Sequence, residues 1–298
     1  MTTAFVFPGQ GGQFIGQGRA WTERDPKLME LFTMADDLTG RPITKLCFDG
    51  PMEELSKTAN LQPAVLTVSL AALRLWRAEG LKPDFAAGHS LGEFGALVAA
   101  EVFDESTALK LVAKRAVFMD EAAAKHSGAM LAVIGMPAEE LDQICELARN
   151  EGPVVLANFN TPEQIVISGE ARAVAAAAKY IKLKKGRAIP LPVSGAFHSE
   201  LMDAARVRFA AELEKINFNA PICPIAPNGT GILTQDPGEI KTRLMNQITS
   251  PVLWTQTIDN LNKAGATLYL EAWPKAYLGP MIKKCLPKDT QAAIEFRQ

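Results

Sequence analysis

Histidine is scarce in this sequence, with only His89, His126 and His198 among 298 residues. Cysteine is nearly as rare. Cys47, Cys145, Cys223 and Cys285 lie far apart with no C-x-x-C spacing, which argues against a thiolate metal site and a disulfide-stapled scaffold. A basic excess is also missing. Lys and Arg total 31 against 33 Asp and Glu, giving a net charge of −2. The global charge expected of a nucleic-acid binder or of a protein held on an anionic membrane is therefore absent, leaving room only for a local basic patch. No apolar run approaches the roughly 20 residues that span a bilayer. The first residues, Met1 to Pro8, carry no basic segment and run straight into Pro8-Gly9, so they do not read as a signal peptide. Repeats and low-complexity stretches are lacking too. The chain reads as soluble, reduced and cytoplasmic.

What is present is enough apolar matter for a substantial core. Hydrophobic residues make up 48% of the chain. A folded protein of this mass is expected to expose about 12,000 Å² of the roughly 47,000 Å² open in its unfolded chain. One large domain or two smaller ones fit that length.

Short apolar runs alternate with helical patterns. Ala4 to Phe7, ended by Pro8-Gly9, suits a buried strand, and a Gly-rich loop follows it. Gln62 to Arg77 carries a long helical pattern with Pro63 in its first turn. Phe85 to Gly88 reads as a very short strand leading into a helix from Leu91 to about Ala100. Strands alternating with helices predict an α/β core with a parallel sheet.

The stretch 128–194 has a different order. Met130–Ile134 reads as a strand, and Pro137–Arg149 as a helix with Pro at its first position. Val154–Ala157 and Gln164–Ser168 read as strands joined by a turn at Asn160-Thr161-Pro162. Ala171–Lys185 is a helix closed by Gly186, and Ala188–Val193 is a last strand. This β-α-β-β-α-β order predicts a small ferredoxin-like subdomain inserted into a larger domain formed by residues 1–127 and 195–298.

Gly88-His89-Ser90-Leu91-Gly92 is a G-x-S-x-G sequence between a strand and a helix. A serine on such a sharp turn exposes its Oγ, and the next amide, that of Leu91, points at the reacting carbonyl from a helix N-terminus. The serine needs a base. His89 adjoins it and should point away beneath the turn, and His126 lies in a polar linker, so elimination selects His198. The loop from Gly9 to Gly18 fails both nucleotide-binding spacings, because Phe14 and Gln17 stand where Gly and Lys are required. It offers backbone amides instead, suited to a second oxyanion donor. Arg115 sits in an apolar helical pattern. On spacing alone a surface or ion-paired arginine is the better reading, with a carboxylate clamp as the alternative. Lys179, Lys182, Lys184, Lys185 and Arg187 crowd one helix end, where they either complement the helix dipole or form a docking surface for an acidic partner.

Together these motifs resemble the malonyl-CoA:acyl carrier protein transacylase family, which is related to the acyltransferase domains of polyketide synthases. The likeness rests on Phe5-Val6-Phe7-Pro8-Gly9-Gln10-Gly11, Leu61-Gln62-Pro63-Ala64, Gly88 to Glu93, Lys114-Arg115 with Phe118-Met119, Asn158 to Pro162, Gly195-Ala196-Phe197-His198 and Gln247. The resemblance implies Ser90 as nucleophile, His198 as base without an acid, and the Gln247 backbone carbonyl as its orienting group. It further implies an oxyanion hole from the Gln10 and Leu91 amides and a malonyl carboxylate held by Arg115. Phe197 would exclude an extra methyl group on the acyl chain, and Gln62, Asn160 and Arg187 match positions lining the substrate or coenzyme A cleft. The substrates implied are malonyl-CoA and an acyl carrier protein, with no metal or redox cofactor. An imidazole base of ordinary pKa would lose activity below about pH 6.5. Two positions depart from the pattern: Glu271-Ala272-Trp273-Pro274 replaces Glu-x-Gly-Pro, and Gly95 stands where relatives often have Ser. The rival readings are an esterase or thioesterase with Asp104, Asp120 or Asp142 as triad acid, a binding module without catalysis, and a discrete acyltransferase or acyl hydrolase of a polyketide pathway.

Overall fold

The computed structural model describes residues 1–296. Among these residues nine strands form two sheets: β1 (Thr3–Phe7), β2 (Phe85–Gly88), β3 (Gly128–Ile134), β4 (Val154–Thr161), β5 (Gln164–Glu170), β6 (Arg187–Pro190), β7 (Ile225–Ala226), β8 (Leu268–Glu271) and β9 (Ala293–Phe296). The first sheet has the order β7-β2-β1-β8-β9, and every pairing in it is parallel. The accessible surface of 12,637 Å² matches the scaling expectation of about 12,000 Å².

β1 lies at the centre, which is why its sequence is a continuous apolar run. Its residues alternate between two cores. Phe5 and Phe7 face the Thr58–Ala78 helix, with the Phe5 ring centroid 4.6 Å from that of Trp76 at a tilt of 59°. Ala4 and Val6 face the other way, towards Trp254, Ile258 and Ile282. Covering both faces with helices follows from parallel crossover connections.

The second sheet is antiparallel with the order β4-β5-β3-β6, the ferredoxin-like arrangement. Leu131, Val133, Ile165 and Ile167 face its two helices, while Met130, Ala132 and Val166 turn towards the main core. β4 also reaches into the larger lobe. Phe159 donates its N–H to the Val252 carbonyl (2.9 Å), Val252 donates to Ala157 (2.8 Å), and Thr255 Oγ1 donates to the Phe159 carbonyl (2.8 Å).

Four local expectations are corrected. The long helix starts a turn early, at Thr58, so Pro63 lies inside it and removes one backbone donor there. Pro137 caps the Ala138–Ala148 helix rather than opening it, because its extended backbone stands outside the helix. The hairpin turn is Pro162-Glu163, since Thr161 still pairs with Gln164. The Ala171–Leu183 helix ends in a Schellman motif with Lys185, not Gly186, in the left-handed conformation at φ 62°. There Gly186 donates to the Ile181 carbonyl and Lys185 to that of Lys182.

Candidate active site

Only four non-glycine residues among those described have positive φ, and two of them are Ser90 (51°) and His198 (59°). Strain of this kind persists where the surroundings enforce it. At Ser90 the enforcement is visible. β2 stops at Gly88, a tight turn covers Ser90–Gly92, and the Glu93–Ala99 helix begins at once. A Cβ on Gly88 would strike the Gly92 backbone, and one on Gly92 would strike the Phe7 carbonyl. Asn228 braces the turn from outside. Its Oδ1 accepts the Ser90 N–H at 2.6 Å and its Nδ2 donates to the Gly88 carbonyl at 2.7 Å. In the sequence, Pro227-Asn228-Gly229 signals only a turn.

His198 places Nε2 at 2.7 Å from Ser90 Oγ. Its Nδ1 faces two carbonyls, Ser250 at 2.9 Å and Gln247 at 3.1 Å. Both can only accept, so the proton resides on Nδ1 and Nε2 is left to accept from the serine hydroxyl. The orienting group is therefore a pair of carbonyls, and Ser250 is the nearer. Among the described residues no carboxylate completes a triad. Asp104 caps the Glu105–Ala123 helix by accepting from Thr107, Asp142 lies on the Ala138–Ala148 helix, and Asp120 lines the cleft without bonding the imidazole.

Burial holds the His198 pKa down to about 3, assisted by the Arg115 charge. The expected fall in activity below pH 6.5 is accordingly displaced. The neutral, proton-accepting form persists from pH 8 to well below 6.5, so in Glu93→Gln protein, which lacks the nearby carboxyl that burial brings to about 7, kcat/KM for acylation is expected to stay level down to about pH 5. A stopped-flow acylation profile with a midpoint near 6.5 would contradict this assignment.

Arg115 is fully buried on the Glu105–Ala123 helix, which removes the surface reading. It donates to Gln62 Oε1 at 2.7 Å and to Gln247 Oε1 at 2.9 Å, and a guanidinium nitrogen stands 3.4 Å from Ser90 Oγ. Gln62 is thus a holder of this arginine, set behind it rather than on the cleft wall. The Gln247 side chain donates in turn to Glu93 Oε2 (2.9 Å) and to the Ser90 carbonyl (2.8 Å). Glu93 is kept one amide away from the arginine, and burial pushes its pKa up to about 7. Burial also lowers Arg115 to about 10, leaving it cationic at neutral pH. Neutral amides hold this buried cation, so its charge is available to an anion beside Ser90.

A cleft of about 790 Å³ opens between the two sheets onto Ser90 and His198, walled by Met119, Met130, Val166 and Phe197, among others. Gln10 and Asn160 also line it. Leu91 is buried directly after the nucleophile. His89 is half-buried and lines the cleft rather than lying beneath the turn, and its ring bonds Asn160 Oδ1 at 2.8 Å, so it is not the base for Ser90. Arg187 is not brought to the site. It is exposed on edge strand β6, because the strand period turns its side chain outward. Its basic neighbours are likewise off the cleft wall, and Lys184 pairs with Glu140 at 3.4 Å. This placement favours the helix-terminus reading of that run. At Gly95 a Cβ would strike the Phe7 ring, which accounts for the missing serine.

A family model described as "acyl transferase domain" matches residues 4–293. The malonyl CoA-acyl carrier protein transacylase of Bacillus subtilis is 42% identical over 94% of this chain and 89% of its own length. That of Escherichia coli K12 is 39% identical over 98% and 95%. Among solved structures, the corresponding transacylase from Coxiella burnetii superimposes with a TM-score of 0.94 at 36% identity, covering 99% of this chain and 93% of that one. A malonyl-transacylase in complex with a type II polyketide synthase acyl-carrier protein gives the same TM-score and identity, covering 100% and 96%. With a family model running nearly end to end over a serine–histidine pair in a strand-to-helix turn, the chain belongs to the acyl transferase domain family.

Proposed function

We propose that the protein transfers a malonyl group from malonyl-CoA to the pantetheine thiol of an acyl carrier protein. The observation that carries this reading is Arg115, a buried cation on neutral partners 3.4 Å from the Ser90 hydroxyl. A substrate with a free carboxylate two carbons from its thioester carbonyl suits that spacing, and a neutral acyl group does not use it.

His198 Nε2 takes the Ser90 proton as Oγ attacks the thioester carbonyl, and the Gln10 and Leu91 amides stabilise the oxyanion. The tetrahedral intermediate collapses with loss of the coenzyme A thiolate, which recovers the proton from His198. The carrier thiol then attacks the malonyl-Ser90 ester, gives its proton to His198, and leaves as the malonyl thioester while Ser90 Oγ is reprotonated. Phe197 lines the cleft beside Ser90 and His198, and in this reading it is the residue that excludes a branched acyl chain. The four free thiols fit a reducing cytoplasm. Among the described residues no helix is long and apolar enough to cross a membrane.

The test is the intact mass of the protein after separate mixing with malonyl-CoA, acetyl-CoA and methylmalonyl-CoA. A stoichiometric adduct with malonyl-CoA, and little with the other two, is expected. Preferential acetylation, or hydrolysis with no adduct and no transfer to a carrier thiol, would overturn the reading.

A further inference from the structure

The loop that carries Gln10 has little intrinsic stiffness. Gly9, Gly11 and Gly12 surround Gln10, and Gly11 adopts φ 115°, so the backbone is free to rotate on both sides of the oxyanion amide. Gly11 N–H donates to Gln13 Oε1 at 2.9 Å and the Gln62 side chain reaches Gln10 Oε1 at 3.3 Å, but the loop carbonyls are held by a distant turn after β8. Tyr277 Oη donates to the Gln10 carbonyl at 2.8 Å, and Trp273 Nε1 donates to the Gly12 carbonyl at 3.1 Å. The tyrosine and tryptophan side chains also fill the space that a Cβ on Gly12 would take.

That turn is itself fixed from below. The buried Glu271 carboxylate accepts N–H groups from Tyr277 (2.9 Å), Leu278 (2.6 Å) and Gly279 (3.0 Å). Trp273 is fully buried, while Tyr277 is half-buried and lines the cleft. Trp273 is the residue that departs from the Glu-x-Gly-Pro pattern, so the replacement adds a hydrogen-bond donor where glycine has no side chain.

We infer that Trp273 and Tyr277 are positioning residues that aim the Gln10 amide at the reacting carbonyl, with Glu271 as their anchor. This rests on the malonyl-Ser90 intermediate proposed above. Neither side chain touches the acyl group in this role. Each acts through a loop carbonyl, and an oxyanion donor is useful only when aligned to within a fraction of an ångström.

The test pairs kinetics with the infrared carbonyl band of the acyl-enzyme formed from malonyl-CoA labelled with ¹³C at the thioester carbon. Tyr277→Phe removes one hydroxyl and keeps the ring. It is expected to lower kcat for transfer about tenfold with little change in KM, and to move the ester band to higher wavenumber as polarisation is lost. Its melting temperature is expected to stay within about 2 °C of the native value. Trp273→Phe is expected to shift the band in the same direction. An unshifted band with native kcat in Tyr277→Phe would overturn the brace, as would a loss of stability with no change in the band. Failure of the native protein to form any malonyl adduct would instead overturn the acyl-enzyme reading on which the brace rests.

Discussion

Replacing Ser90 with alanine is expected to abolish the malonyl adduct and to lower transfer by at least about 10⁴-fold, since the covalent route is lost and only binding and the oxyanion donors remain. The fold has little reason to respond. Ser90 holds the elbow through its backbone N–H on Asn228 Oδ1, which alanine retains. The lost contacts are those with His198 Nε2 and the Arg115 guanidinium, at the floor of the open cleft, where water can replace the hydroxyl. Melting should therefore move by no more than a few degrees. A Ser90→Ala protein that still gains one malonyl mass would place the nucleophile elsewhere.

Arg115→Ala is expected to invert selectivity. Truncating one partner of a buried charge-assisted pair costs about 2–5 kcal/mol, so malonyl loading falls by roughly 30-fold to several thousand-fold. Acetyl loading has no such partner to lose. The alanine variant also leaves the Oε1 atoms of Gln62 and Gln247 without their donors, and some loss of stability follows. Selectivity is read as a ratio of loading rates on one sample, so a smaller folded fraction cancels. An equal decline for both acyl groups would make Arg115 a structural residue only.

The parts of this site that the sequence discloses are those with a local signature. Ser90 is flanked by the two glycines its turn requires, and His198 emerges because only three histidines exist. Arg115 is harder. A helix pattern locates it on an apolar face but says nothing of whether its head reaches solvent, and burial by the distant Gln62 and Gln247 decides the matter. Asn228 and Ser250 give no signal because their work depends on loops brought together across the sheet. Arg187 shows the converse case, a position carried over by likeness that is exposed here and outside the cleft lining. Fold class was legible from the strand–helix alternation and from the order of elements between 128 and 194. β7, with two residues, and β8 and β9, with four each, are too short for periodicity and lack the G-x-S-x-G turn that marks the equally short β2.

The continuation of β4 into the larger lobe has a consequence for cutting the chain. Residues 128–194 are contiguous, carry their own apolar cluster and look severable on paper. Excision would strand the Phe159 amide and the carbonyls of Ala157 and Phe159, all of which find their partners at Val252 and Thr255. The fragment would also present Met130, Ala132 and Val166 to water as an uncovered oily face. The smaller lobe is thus less a lodger in the larger one than a shared wall, and neither room stands when the wall is taken out.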